Sequence, residues 1–226
     1  MRAACPDPVA VREATVLQLE LLHLPIPPEN FPLVWEVGDE VELRPRTDLE
    51  ARCGVLNLVL ARVFGLPAPD AVRWLEDAGL TDRLTEPEWR FVAEGLGDVQ
   101  SFALHTEALA ALAWLLSLVK VLDPAGPGLH DAVPLFPDVA GGERYRSWQG
   151  RILAAPRDPR DAAVALDLYY CLDWSYLEAE RQHFQLPGMI DSNAVGQRRW
   201  ALEWAVQLHG PFQEAPPEWE EVDLST

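Results

Sequence analysis

The feature that most constrains the fold is a series of apolar stretches with helical spacing, separated by short breaks rich in proline and glycine. From Val55 to Val63, apolar residues recur three and four positions apart, and Gly65 and Pro67 end the pattern. This spacing places the apolar side chains on one helix face, where a neighbouring helix can cover them. β-branched residues in alternation are scarce, so we predict an all-α, single-domain bundle of about seven to eight helices.

Capping and turn signals predict where the shorter helices begin and end. Thr47 and Glu50 have the spacing of a capping box, and so do Thr85 and Glu88, so each pair predicts a helix start. The stretch "APDAVRWLEDAG" predicts a short helix that Gly79 closes.

The longer helices lie in the second half of the chain. Asp158 or Asp161 is expected to cap a long helix that runs through Phe184. A cap within residues 191–193 opens the last helix, which we expect to end near Gly210.

A chain of 226 residues, 49% of them apolar, is long enough to bury one sizeable core. We expect one helical domain over residues 1–226, with an N-terminal helix and a Pro-rich arm in residues 1–46. Residues 47–210 form the helical core, and residues 211–226 an acidic tail draped along the surface. The stretch "LVWEVGDEVELRP" fits either a short hairpin or an extended arm.

The charge of the chain bears on its partners. The 36 acidic and 18 basic residues give a net charge of -18, which repels phosphate backbones and anionic lipid headgroups. We therefore expect no nucleic acid and no membrane among the partners, and a basic protein is the partner that this charge fits. The longest uncharged apolar run, residues 108–119, is far shorter than the roughly 20 residues of a spanning helix.

Cysteine and histidine spacing bears on compartment and cofactors. The 3 cysteines are widely spaced and form no C-x-x-C pair, so we expect neither a disulfide framework nor a zinc site, and we predict a cytoplasmic protein. The 5 histidines lack the H-x-x-x-H spacing of a metal site. No nucleophile elbow or phosphate-binding loop occurs, and we predict no metal and no cofactor.

Charged residues on apolar helix faces are the candidate site. Asp167 shares a helix face with Tyr170 and Trp174, whereas Asp173 points to a strip that we expect to face water. We also expect Trp174 and a second tryptophan, Trp204, to be largely buried in one core.

Two other helices carry a charge in the same setting. Glu107 lies on a face with Trp114, in the helix predicted over residues 99–120, and Arg198 lies on the apolar face of the last helix. A buried carboxylate needs a partner, and one guanidinium can bridge two of them. We therefore predict that Glu107, Asp167 and Arg198 meet in one cluster, either as a buried ion network that fixes helix register or as a functional cleft.

Several segments resemble one known family. They are "VELRPRTDLEARCGVLNLVLA", "TEALAALAWLL", "LDLYYCLDW", "RRWALEWAV" and "WEEVDLST". Their order and spacing resemble the family called domain of unknown function (DUF) 4272, from about Val41 to the C-terminus. The chain differs from the family pattern in the Ala-rich sequence before Glu107 and in Gln197, where an acid often stands. The resemblance implies a helical, cytoplasmic bacterial protein with signature positions Glu107, Asp167, Trp174, Arg198 and Trp204, and it implies no catalytic set.

Two functions follow from these features as hypotheses. The first is a non-catalytic, acidic, helical interaction module that neutralises a basic partner, as immunity proteins do. The alternative is an enzyme or small-ligand binder that uses Glu107, Asp167 and Arg198 in a helix-lined cleft. A closed, dry cluster favours the first, and an open pocket with accessible carboxylates favours the second. The oligomeric state is left open.

Overall fold

A computed structural model describes residues 2–129 and 133–225 of the chain. The helices are α1 Pro8–Leu21, α2 Arg46–Val63, α3 Ala68–Ala78, α4 Glu86–Glu94, α5 Val99–Ala103, α6 His105–Leu115, α7 Tyr145–Arg151, α8 Pro159–Arg181 and α9 Ser192–Ala205. The strands are β1 Ala3–Ala4, β2 Glu40–Leu43 and β3 Val206–His209. The fold is therefore mostly helical, as predicted, but it is not all-α.

The core is centred on α9, which packs against both α6 and α8, and α2 covers α6 from another side. The face that α6 turns inward is built largely from alanines, and residues 108–113 are all buried. Small side chains let helix axes approach closely, so one short helix can contact several neighbours.

Several predicted helix boundaries are confirmed. Thr85 and Glu88 form the expected capping box at the start of α4, and Gly79 closes α3 with a left-handed φ of 67°. Asp158 caps α8, and Asp191 caps α9 by accepting a hydrogen bond from the Ala194 N–H.

The other predicted capping box, at Thr47, is wrong. α2 begins earlier, at Arg46, directly after Pro45, and no side chain caps it. Glu50 instead accepts hydrogen bonds from Arg46 Nε at 2.6 Å and from Gln149 Nε2 at 2.8 Å. The Glu50 carboxylate, which the local pattern predicted would cap the helix, thus binds the side chains of Arg46 and of the distant Gln149 instead.

The helix predicted over residues 99–120 is divided in two and ends early. Leu104 separates α5 from α6, and α6 ends at Leu115. Ser117 then takes a left-handed φ of 59°, and the Leu118 N–H returns to the Ala113 carbonyl at 2.8 Å. Such a turn satisfies carbonyls at the end of a helix and stops the helix there.

A small antiparallel sheet, in the order β1, β2, β3, is the main departure from the predicted fold class. The stretch that fitted a hairpin or an arm supplies its central strand, and Val41 of β2 pairs with Leu208 of β3. The last helix, expected to end near Gly210, therefore ends at Ala205. At Gly210, directly after this strand, a Cβ atom would lie only 1.8 Å from Asp39 Oδ1, so a larger residue would displace the buried Asp39 side chain.

The acidic tail, expected to be draped along the surface, is anchored to the helices by two buried side chains. Trp219 and Val222 are buried, and the Leu224 carbonyl accepts a hydrogen bond from Arg199 at 3.1 Å. Apolar side chains within the acidic segment hold it against the helices.

Candidate functional site

Asp167 does not meet Arg198, so the predicted three-residue cluster is wrong for this acid. The Asp167 side chain is only 2% exposed and faces α1. Arg12 Nη2 donates to Asp167 Oδ1 at 2.7 Å, and Thr15 Oγ1 donates to Oδ2 at 2.7 Å. Asp167 thus connects α8 to α1, and this contact explains why an acid lies in the middle of an aromatic helix.

Glu107 and Arg198 do meet, as predicted. The Arg198 side chain is completely buried, and its Nε and Nη2 atoms lie 2.7 and 2.6 Å from Glu107 Oε2. The carbonyls of Asp123 and Gly126 and the Tyr169 hydroxyl accept the remaining bonds. All five guanidinium N–H groups are thereby satisfied. Because it is buried here, Tyr169 has a pKa raised to about 12, although the nearby Arg198 opposes the shift.

The neighbouring residue, Arg199, forms a separate pair that the sequence did not reveal. Its Nη1 lies 2.7 Å from Asp173 Oδ2, and its Nε lies 3.1 Å from Glu203 Oε1. Asp173, expected to face water, is buried. Burial raises the pKa of Asp173, and the bond to Arg199 only partly offsets the rise.

The aromatic neighbours of Asp167 lie toward the surface. Tyr170 and Trp174 are partly exposed, and their ring centroids lie 4.9 and 5.9 Å from that of Phe31. Trp204 is buried at 6% exposure and packs edge-on against Trp219 at 5.4 Å. The prediction of burial in the core is therefore confirmed for Trp204, whereas Trp174 is only partly buried and packs against Phe31.

Beside the Asp167 pair lies an open cavity of about 630 Å³ between α1 and the Pro-rich arm, which we call the α1 groove. Its size is that of an ordinary binding pocket. The lining residues are Val9, Arg12, Glu13, Val16, Leu17, Ile26, Pro27, Pro28, Glu29, Phe31 and Leu33. α1 buries Val11 and Leu19 against the core, and its Val9, Val16 and Leu17 side chains line this groove.

Arg12 is a residue of this candidate site that the sequence pattern did not single out. Besides Asp167, its guanidinium bonds the carbonyls of Phe31 at 3.3 Å and Pro32 at 2.9 Å. One side chain therefore joins α1, α8 and the arm, and it forms part of the groove wall. The available signal was an arginine next to the apolar stripe of α1, but its partner lies 155 residues away in the sequence.

The described residues offer little other reactive chemistry. Within residues 2–129 and 133–225, no group of three or more His, Cys, Asp or Glu side chains could hold a metal ion. Burial raises the pKa of the Cys171 thiol to about 12 and that of Cys53 well above its usual range. Both thiols are thus held in the unreactive protonated form. No helix in this part of the chain has the length and apolarity needed to cross a bilayer.

A family model matches residues 12–222, nearly the whole chain. The chain belongs to the family described as domain of unknown function, DUF4272. The matched range includes the Arg12 and Asp167 pair and the Arg198 and Glu107 pair. It also includes the buried tail residue Trp219. No curated protein and no solved structure matches the chain.

Proposed function

We propose that this DUF4272 protein is a non-catalytic interaction module that binds a basic partner through the α1 groove. The observation that carries this proposal is the contrast between an open apolar groove and enclosed ion pairs. The candidate reactive side chains Glu107, Asp167 and Arg198 are paired inside the fold. The apolar side chains that line the α1 groove are open to solvent and suited to binding.

The groove has the surface character of a protein-binding site. Val9 and Leu17 of α1 are 53% and 60% exposed, and Ile26 lies beside them on the arm. Contiguous exposed apolar side chains with polar rims are typical of interaction sites. A partner helix or extended segment with an apolar face would bury them.

The charge around the groove selects the partner. Glu13 and Glu29 are exposed at the groove, and the chain carries a net charge of -18. Complementary charge steers association and suppresses wrong partners. The partner segment should therefore carry Lys or Arg beside its apolar residues, and neutralising such a basic protein is the role that we propose.

The alternative, an enzyme or small-ligand binder built on Glu107, Asp167 and Arg198, has less support. Asp167 belongs to a different pair, and Arg198 has neither exposure nor a free donor for a ligand. A cytoplasmic location is part of our proposal. The free cysteines Cys5, Cys53 and Cys171 are compatible with a reducing compartment.

A peptide-binding experiment tests the proposed function. Two labelled helical peptides share one apolar face, and one carries Lys flanks while the other carries Glu flanks. We expect the Lys peptide alone to bind in a fluorescence anisotropy titration, more weakly at higher salt. Labelled duplex DNA should not bind.

Matched variants locate the binding surface. Leu17→Asp should weaken binding of the Lys peptide by about tenfold, because it places a charge on the apolar groove. Leu153→Asp makes the same change at a residue that is 88% exposed and does not line the groove, so it should bind normally. Equal binding of both peptides, or equal losses in both variants, would rule out the proposed groove.

A further inference from the structure

The C-terminal segment, residues 217–224, docks on a distinct surface. We call this the receiving surface and define it as Arg44, Arg52, Trp200 and Trp204. Trp219 is the anchor of the segment and is buried. The Arg52 guanidinium carbon lies 4.2 Å from its ring centroid, and the Trp204 ring meets it edge-on at 5.4 Å.

Most polar contacts between the two go to the backbone of the segment. Trp200 Nε1 donates to the Trp219 carbonyl at 2.9 Å, and Arg44 Nη2 donates to the Pro217 carbonyl. Arg44 also stacks over Trp204 at 4.7 Å, which holds both side chains in place. Side chains that donate hydrogen bonds to the backbone carbonyls of an extended segment are suited to binding a peptide.

The receiving surface has donors that the docked segment leaves unused. Arg52 Nε and Trp204 Nε1 are buried and have no hydrogen-bond partner among the described residues. Both side chains line a cavity of about 300 Å³ that residues 218–221 also line. Buried polar groups are nearly always paired, so two unpaired donors together indicate an incompletely filled site. A carboxylate is the group that such donors bind best.

We propose that the receiving surface is a binding site for acidic, tryptophan-bearing segments, and that residues 217–224 of the same chain occupy it exchangeably. The segment supplies acids at Glu218, Glu220, Glu221 and Asp223. Arg52 is already paired with the buried Glu88, so Arg44, which bonds only backbone carbonyls among the described residues, is the guanidinium that these acids complement. Residues 211–216 lie outside any helix or strand and are mostly exposed, so they form a tether between β3 and the docked segment.

A competing peptide tests this proposal in the full-length chain. The labelled peptide covers residues 214–225, and its control carries Trp219→Ala. Because a tethered segment competes at high effective concentration, the Trp219→Ala chain should bind the peptide with about tenfold lower Kd than the unmodified chain. The control peptide should not bind, and adding Arg44→Met to the Trp219→Ala chain should abolish binding of the labelled peptide.

A second variant protects the test against loss of folding. Trp219→Leu keeps an apolar side chain on the core and loses the stacking on Arg52, so it should also bind the peptide. Circular dichroism checks that each chain is folded. Absence of peptide binding to folded variants, or equal affinity in variants and unmodified chain, would overturn the proposal. Unfolding of both variants would overturn it as well, since Trp219 would then be a fixed part of the core.

Discussion

The Arg198 and Glu107 pair and the Arg12 and Asp167 pair have the same chemistry in different surroundings. Arg198 is completely buried among α6, α8 and α9, and every donor is used within the fold. Arg12 retains 13% exposure and forms part of the α1 groove. The first pair holds the core together, whereas the second attaches a surface element and leaves a groove beside it.

This difference shows that charged residues on apolar helix faces can differ both in their partners and in how fully the fold encloses them. Taking charges out of water is costly, so a protein that keeps a buried pair gains packing specificity at a cost in stability. At Arg198 we expect that specificity to be the register between α6 and α9. At Arg12 it is the position of α1 and the arm, which shapes the groove.

The largest expected effect separates the two pairs by stability. Arg198→Met should lower the free energy of unfolding by roughly 3–5 kcal/mol, because Glu107 and two backbone carbonyls lose their donors. Arg12→Met should cost less, about 1–3 kcal/mol, because Thr15 still bonds the Asp167 carboxylate and the partly exposed position of the Arg12 head group lets water take its place. Urea denaturation measures both. Replacing Glu107 and Arg198 together with Leu and Met should cost less than Arg198→Met alone, and an Arg12→Met loss as large as that of Arg198→Met would contradict the comparison.

The tryptophans provide the next test of core against surface. Trp204→Ala should cost about 3–5 kcal/mol because it leaves a hole beside Trp219. Trp174→Ala, at the partly exposed side near Phe31, should cost only about 1–2 kcal/mol. Thermal and urea unfolding of the two variants would show the difference, and reversed costs would mean that α8 is rotated.

Alkaline pH should lower the free energy of unfolding more through Tyr169, beside Arg198, than through Tyr170, near the α1 groove. The folded pKa of Tyr169 is raised to about 12, whereas an unfolded tyrosine titrates near 10. The stability linked to this group is therefore complete below pH about 10 and is lost as the pH rises through about 12. In urea denaturation at a series of pH values, Tyr169→Phe should reduce the fall in the free energy of unfolding. Tyr170→Phe should reduce it less, because the Tyr170 ring is only half-buried. Identical slopes for both variants would refute this distinction.

The smallest expected effect is an absence of coupling between the pairs. In a double-mutant cycle, Asp167→Asn and Arg198→Met should be additive within about 0.5 kcal/mol, as for sites that share no partner. Glu107→Gln and Arg198→Met should instead be strongly coupled. Coupling between Asp167 and Arg198 as large as that of Glu107 and Arg198 would restore the single three-residue cluster.

Local signals predicted the parts of the fold that depend on neighbouring residues. The capping box at Thr85, the glycine stop at Gly79 and the caps at Asp158 and Asp191 are confirmed, because each acts within one helical turn. The end of α9 was not predictable in this way, because β3 forms only when β2 is beside it.

For the candidate site too, the sequence predicted some features and could not predict others. Helical periodicity identified Glu107, Asp167 and Arg198 as charges on apolar faces, and it indicated that each needed a partner. It could not choose among the 18 basic residues, and the correct partner of Asp167 was Arg12 of the first helix.

By itself, the sequence determined the helical class, most helix positions, the strong acidity and the membership of the DUF4272 family. Each of these depends on composition or on short-range spacing. Only the tertiary structure decided which arginine meets which acid, where α9 becomes a strand and how Trp219 is buried. Those outcomes depend on surfaces brought together from distant parts of the chain, where burial of a charge or an indole outweighs the preference of any local segment.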